Sequence, residues 1–144
     1  KHRMQIVPSQ SKIKFINDSK GTNINSTINA INTFNENIIL ILGGYSKGEI
    51  KYDSFLNRKL ENVRFIICYG NEGHNIHNQL KSEFQCEYIE DFKVSIEYAI
   101  NIAKEYEVIL LSPACSSYDQ FDNFEERGEK FIEIVEKYNS KFIA

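Results

Sequence analysis

The sequence predicts an α/β domain built on one doubly wound, mostly parallel sheet with helices on both faces, and three observations carry that reading. Runs of Ile, Leu and Val at residues 38–42, 63–69 and 108–111 are apolar without alternation, the pattern of strands buried on both faces of a parallel sheet. Segments of helical period lie between them, and alternating strand and helix is the order that builds parallel crossovers. At 144 residues the chain has the length of one domain, able to bury about 68–70% of its unfolded surface. The expected architecture is Rossmann-like.

The elements follow in order. Residues 12–16 alternate apolar and polar side chains and read as an edge-type strand, paired with residues 4–7 across the Pro8-Ser9-Gln10 turn. Ile24, Ile28, Ile31 and Phe34 recur at spacings of four and three, one stripe of a helix that Thr22 or Asn23 caps. Shorter helices are expected over about residues 54–60 and 73–81, on either side of the strand at 63–69. Phe92, Ile96, residues 98–100 and Ala103 form the next helix, behind an Asp91 cap. After the strand at 108–111, Phe131, Ile132, Val135 and Tyr138 mark a closing helix.

Composition narrows the function. With 42% hydrophobic and 26% charged residues the chain is neither disordered nor fibrous. No apolar run approaches the roughly 20 residues that cross a bilayer, so no membrane association is expected. A net charge of −3 lacks the basic footprint of a nucleic-acid binder. Cys68, Cys86 and Cys115, odd in number and without a C-x-x-C pair, argue against a disulfide framework and a zinc cage and fit a reducing cytoplasm. The start at Lys1-His2-Arg3, without Met, reads as a fragment of a longer protein.

Ligands of open α/β sheets bind beyond the carboxyl ends of the strands, where loop amides and helix N-termini converge. Three polar loops end there: residues 17–23 (NDSKGTN), 43–48 (GGYSKG) and 112–121 (SPACSSYDQF). Lys20 and Lys47 stand among small residues in two of them, where an ammonium beside loop amides suits a phosphate or a carboxylate. The serine-rich loop is not G-x-S-x-G, and His74 and His77 read as surface residues rather than as a triad base or metal ligands. Cys115 reads as a small buried turn residue, and the acidic residues from Asp119 to Glu129 as a solvated helix start. No G-x-x-x-x-G-K-[ST] or G-x-G-x-x-G cradle for a nucleotide occurs, so any ATP used must be held by another domain.

The segments NDSKGTN, LGGYSK (residues 42–47) and LLSPACSSYDQFDNF (residues 110–124), followed by Glu125-Glu126-Arg127-Gly128, resemble the C-terminal domain of the UDP-N-acetylmuramoyl-L-alanine:D-glutamate ligases, a branch of the Mur ligase family. The His2-Arg3-Met4 start is similar to the segment that opens that domain. The resemblance covers nearly the whole of residues 1–144. It implies an ATP- and Mg2+-dependent ligase of peptidoglycan synthesis, and with it cell shape and division, that joins D-glutamate to UDP-N-acetylmuramoyl-L-alanine through an acyl phosphate. The N-terminal UDP-binding and central ATP-binding domains are expected to be absent from this chain, which is expected alone to be inactive, monomeric and free of bound metal. Carried over by position, the resemblance implies Lys20 at the terminal phosphate and Arg3 and Asp18 at the adenosine ribose. It implies Thr22, Lys47 and Ser117 at the D-glutamate carboxylates, with backbone groups of Tyr118 and Phe124. Gly21 stands where the family more often has Ala, and is expected to loosen its loop. A sister ligase for another amino acid and a non-catalytic flavodoxin-like binding module are the alternatives.

Overall fold

Among the described residues, six strands form one sheet in the order β1-β2-β6-β3-β4-β5: β1 (Gln5–Val7), β2 (Lys14–Asn17), β3 (Ile38–Gly43), β4 (Val63–Tyr69), β5 (Cys86–Ile89) and β6 (Val108–Ala114). A computed structural model describes residues 1–48 and 50–142. Only β1 runs antiparallel to its neighbour; the β2–β6, β6–β3, β3–β4 and β4–β5 pairs are parallel. Every residue of β3 and β6 is buried, as the unbroken apolar runs require.

Successive side chains of a strand point to opposite faces, so each run feeds two cores. Ile38, Leu40 and Leu42 pack with Ile28 and Ile31 of α1 (Ile24–Ile31), Phe55 of α2 (Asp53–Leu56) and Ile76 and Leu80 of α3 (Gly73–Leu80). Ile39 and Ile41 pack with Phe92 and Ile96 of α4 (Phe92–Ile102) and Phe131 and Val135 of α5 (Phe124–Asn139). The two-sided α/β architecture is therefore as the periodicities predict. Caps set the helix starts: Asn23, Asp91 and Asn123 accept the N–H groups of Ser26, Val94 and Glu126 at 2.8–2.9 Å, each satisfying one orphan donor of the first turn.

At the strand ends opposite the polar loops, Arg64 Nε and Nη2 donate to both oxygens of Glu107 at 2.5 and 2.8 Å, and Glu107 Oε1 also accepts the Lys104 N–H at 2.8 Å. Burial pushes the Glu107 carboxyl up, but the Arg64 hydrogen bond and the Lys104 N–H outweigh it and leave it below the ordinary 4.5. A carboxylate that titrates lower in the folded chain stabilises it above pH 4.5, and that stability is lost as the pH falls through the folded value. Glu107→Gln is expected to cost about 2 kcal/mol at neutral pH, less than the roughly 3–5 of a fully buried pair because Arg64 meets solvent. It should also flatten the acid limb of a stability–pH curve measured by urea unfolding.

Candidate functional site

Because β2, β6 and β3 are adjacent and parallel, the loops leaving them meet on one rim. The loop after β3 turns on two glycines in the left-handed region, Gly43 (φ 144°) and Gly44 (φ 120°), where a Cβ at Gly44 would run into the Ser116 carbonyl. That close approach zips two loops: Tyr45 N–H donates to Ser116 O at 2.9 Å, and Ser116 N–H and Oγ return bonds to Tyr45 O at 3.2 and 3.0 Å. Pro113 has no N–H to give the sheet, and the β3–β6 register shifts there, between Ile41 and Gly43. Ala114 follows at φ 65°, a backbone cost for a residue with a Cβ of the kind that clusters at binding sites.

Between the three loops lies a cleft of about 360 Å³ lined by Thr22, Tyr45, Lys47, Ala114, Ser116 and Tyr118 among others. It continues past Thr22, Ile50 and Ala114 into a second hollow floored by α1 and α2 residues. The size falls within the roughly 300–1,000 Å³ of small-molecule sites. A groove of about 470 Å³ between α4 and α5 is larger, but it lies away from the strand ends, and its lysines Lys93 and Lys130 pair with Glu97 and Glu133.

Of the residues expected at D-glutamate, Thr22, Lys47 and Tyr118 line the cleft. Thr22 and Lys47 are exposed, and Tyr118 stands 68% exposed at its lip. Ser117 is 1% exposed and stands in the chain between two cleft-lining residues, Ser116 and Tyr118, and its Oγ has no hydrogen-bond partner among the described residues. A buried hydroxyl left unpaired costs free energy; a ligand oxygen is one means of relieving it. Phe124 is not brought to the cleft. Its carbonyl accepts the Ser19 hydroxyl at 2.7 Å, and its ring meets His2 edge-on at 6.2 Å on the far side of the 17–23 loop.

Lys20, Arg3 and Asp18 are not among the residues lining the cleft; Lys20 and Asp18 are tied to the start of the chain. Lys20 N–H donates to His2 O at 2.9 Å, and Met4 N–H donates to Asp18 Oδ1 at 3.1 Å. Lys20 and Arg3 are exposed. Asp18 is 3% exposed, and its Oδ2 accepts the Ser112 hydroxyl at 2.6 Å. Burial raises its carboxyl, while the Ser112 and Met4 hydrogen bonds and the Arg3 charge oppose the rise. As the domain stands, Asp18 fixes backbone. Gly21 does not loosen its loop: a Cβ there would lie 2.6 Å from Asp18 Oδ2 and 2.7 Å from Ser112 Oγ, so glycine lets the loop close over that pair.

Arg127 is the residue that sequence reasoning missed. Its guanidinium is wholly buried and spans the rim loops: Nε to Ser19 Oγ at 2.9 Å, Nη2 to Ser19 O at 2.6 Å, Nη1 to Cys115 O at 3.0 Å and to Tyr69 Oη at 3.4 Å. A signal existed, since position 127 falls on the apolar stripe of α5 with Phe131, Ile134 and Val135, where a charged residue needs a polar reason. Burial pushes the Tyr69 phenol up to about 12 against the Arg127 charge.

Asp119 corrects a second reading, because it precedes α5 and is no part of a solvated helix start. Its Oδ2 accepts the Asn71 N–H at 2.9 Å, tying the loop after β6 to the loop after β4. Cys115 is buried, its sulfur 3.6 Å from the Tyr52 hydroxyl, and burial lifts its thiol to about 12, which suits packing rather than nucleophilic attack. His74 stacks on Tyr88 at 3.7 Å. Among the described residues no three His, Cys, Asp or Glu side chains converge as metal ligands, and no helix is long and apolar enough to cross a membrane.

Residues 2–115 match the family model described as Mur ligase, glutamate ligase domain. The chain is 39% identical over 136 residues to the UDP-N-acetylmuramoylalanine--D-glutamate ligase of Caldicellulosiruptor saccharolyticus, covering 93% of this chain and 30% of that protein. To the enzyme of the same name from Francisella philomiragia it is 40% identical over 138 residues, covering 94% of this chain and 33% of the relative. The chain thus spans about a third of the length of these relatives. Among solved structures, a UDP-N-acetylmuramate-alanine ligase from Thermotoga maritima superposes with a TM-score of 0.64 at 18% identity, over 97% of this chain and 30% of that one, which shows the shared fold. The chain belongs to the Mur ligase, glutamate ligase domain family, as the C-terminal domain found in D-glutamate-adding ligases.

Proposed function

We propose that this domain supplies the D-glutamate pocket of an ATP-dependent ligase that joins D-glutamate to UDP-N-acetylmuramoyl-L-alanine in peptidoglycan synthesis. The observation that carries the reading is the cleft itself, with Lys47 and Thr22 on its walls and, next in the chain to its lining residues Ser116 and Tyr118, a buried Ser117 hydroxyl without a partner among the described residues. A dicarboxylate asks for an ammonium and fixed hydroxyl or amide donors. Lys47 supplies charge, Thr22 and Ser117 supply donors, the Tyr45–Ser116 bridge holds the Lys47 and Ser117 loops at a set spacing, and the Ala114 N–H bond to Gly21 O at 2.8 Å ties the Thr22 loop to β6.

In the whole enzyme ATP, with Mg2+, activates the L-alanine carboxylate as an acyl phosphate that the D-glutamate amine attacks. Both belong to domains other than this one. From this chain, Lys20 reaches toward the terminal phosphate, with Arg3 and Asp18 on the ribose side, where Asp18 acts chiefly by fixing the Met4 backbone. Phe124 contributes through the Ser19 contact that sets the 17–23 loop. The domain closes inward over the bound substrates, excluding water from a hydrolysable intermediate. The enzyme works in the cytoplasm as a monomer.

An assay of D-glutamate-dependent phosphate release tests this. The full-length ligase is expected to turn over with D-glutamate, and the 144-residue chain alone is not; turnover by the chain alone would reject the division of labour. Lys20→Ala in the full-length enzyme is expected to lower kcat on the order of 100-fold while leaving the D-glutamate KM near its original value, because the ammonium meets charge that shifts in the transition state.

A further inference from the structure

The loop after β6 is fastened on both sides of Ser117. On one side Ser116 is bridged to Tyr45. On the other, Ser117 O accepts the Gln120 and Phe121 N–H groups at 3.2 and 2.9 Å, so residues 117–121 close a tight turn. Two side chains of that turn bond to the chain beyond β4 and β5. Asp119 Oδ2 accepts the Asn71 N–H at 2.9 Å. The Gln120 amide makes two bonds: Nε2 donates to Glu90 O at 2.7 Å, and Oε1 accepts the Phe92 N–H at 3.0 Å. Glu90 O also accepts the Gly70 N–H at 3.0 Å, so the loops after β4, β5 and β6 meet at one node.

The neighbouring residues are shaped for this contact. Gly70 has φ 75°, and a Cβ there would lie 2.3 Å from Asp119 Oδ2, so glycine lets the carboxylate come against the backbone. Phe92 opens α4, and Gln120 satisfies its N–H, one of the orphan donors of a first helical turn. The Phe121 ring then meets the Phe92 ring edge-on at 5.1 Å. Stability alone does not account for the pair. Gln120 is exposed, where a side chain contributes little, and Asp119 Oδ1 is buried without a partner among the described residues, which is a cost. What the two residues fix is the place of the turn.

We propose that Asp119 and Gln120 are positioning residues for D-glutamate, acting through Ser117 by holding its turn at a fixed place relative to Lys47 and Thr22. The inference rests on the D-glutamate pocket proposed above. Neither residue is among the described residues lining the cleft, so neither touches the ligand. A group that grips a small ligand must be held within about 0.5 Å of its productive place, and a misplacement of about 1 Å can cost about 100-fold. Cutting the Asp119 and Gln120 bonds leaves the Ser116 side of Ser117 fixed by the Tyr45 bridge and lets the 118–120 side shift. Affinity is then lost out of proportion to stability.

The test is steady-state kinetics of the full-length ligase carrying Gln120→Met, which keeps the side chain's length and removes both of its bonds, or Asp119→Ala. Each is expected to raise the D-glutamate KM about 10-fold while the ATP KM stays within about 2-fold. Gln120→Glu, which keeps the acceptor for Phe92 and loses the donor to Glu90, should fall between. In a Ser117→Ala background the same Gln120→Met change should move the D-glutamate KM less than about 3-fold, because the group it positions is gone. A D-glutamate KM unchanged by Gln120→Met, a rise equally large without the Ser117 hydroxyl, or D-glutamate and ATP KM values rising together would overturn the proposal. Lys47→Ala, assayed alongside, keeps two failures apart. If it leaves the D-glutamate KM unchanged, the pocket is elsewhere and the positioning role falls with it; if it raises that KM while Gln120→Met does not, the positioning role alone is rejected.

Discussion

Replacing Arg127 by methionine is expected to lower the melting temperature by about 10 °C or more, the largest stability effect of any single change at the rim. Methionine fills the volume, so the loss is not a cavity. What goes missing are donors: Ser19 O, Ser19 Oγ and Cys115 O each lose a hydrogen bond from the guanidinium, and both residues are buried. Stranded buried acceptors and the loss of charge-assisted bonds together come to about 3–5 kcal/mol. Arg127→Lys should recover little, because one ammonium cannot reach acceptors on two loops in the planar fork that arginine presents. Hydrogen exchange should speed up at the amides of Lys20, Gly21 and Ser116 more than in β3. A shift under about 2 °C would mean that the rim loops hold themselves without this residue.

Lys47→Ala in the full-length ligase is expected to raise the D-glutamate KM about 30-fold to 1,000-fold, the equivalent of 2–4 kcal/mol. Lys47 is exposed and is one of the residues lining the cleft, so removing its side chain should leave the fold intact and strip the ligand of its charge partner. The carboxylate then stays partly desolvated without compensation, which is the larger part of the cost. The KM for ATP should barely move. Thermal denaturation of the variant, expected to match the unmodified enzyme, separates lost binding from lost folding.

The central sheet was legible because β3, β4 and β6 lie inside the sheet, and a continuous apolar run of strand length is what a strand covered on both faces demands. β5 was not. Cys86-Glu87-Tyr88-Ile89 is four residues long with every side chain at least partly exposed, so an edge strand paired only on one side leaves a weak pattern. The closing helix was legible from Phe131 onward, but its first turn was hidden by acidic residues that read as solvated. Asn123 caps it and Phe124 begins it, while Asp119 belongs to the preceding loop. The cleft's Thr22 and Lys47 were legible as polar residues at strand ends. The separation of Lys20 and Phe124 from that cleft was not, because it depends on how the 17–23 loop folds over Asp18 and Ser112, a contact between residues 94 apart in the chain. Arg127 was legible in principle, as a charge on an apolar stripe, but the loops it bridges declare themselves only once the chain is folded.

Whether Lys47 and Ser117 hold one and the same ligand is tested most directly by a double-mutant cycle on the D-glutamate KM of the full-length ligase, using Lys47→Ala, Ser117→Ala and the pair. Two groups gripping a single small amino acid should couple by about 1 kcal/mol or more, so that the double variant is several-fold less impaired than the product of the single effects. Effects that simply multiply, or a Ser117→Ala enzyme with an unchanged KM, would contradict a shared D-glutamate pocket at this cleft.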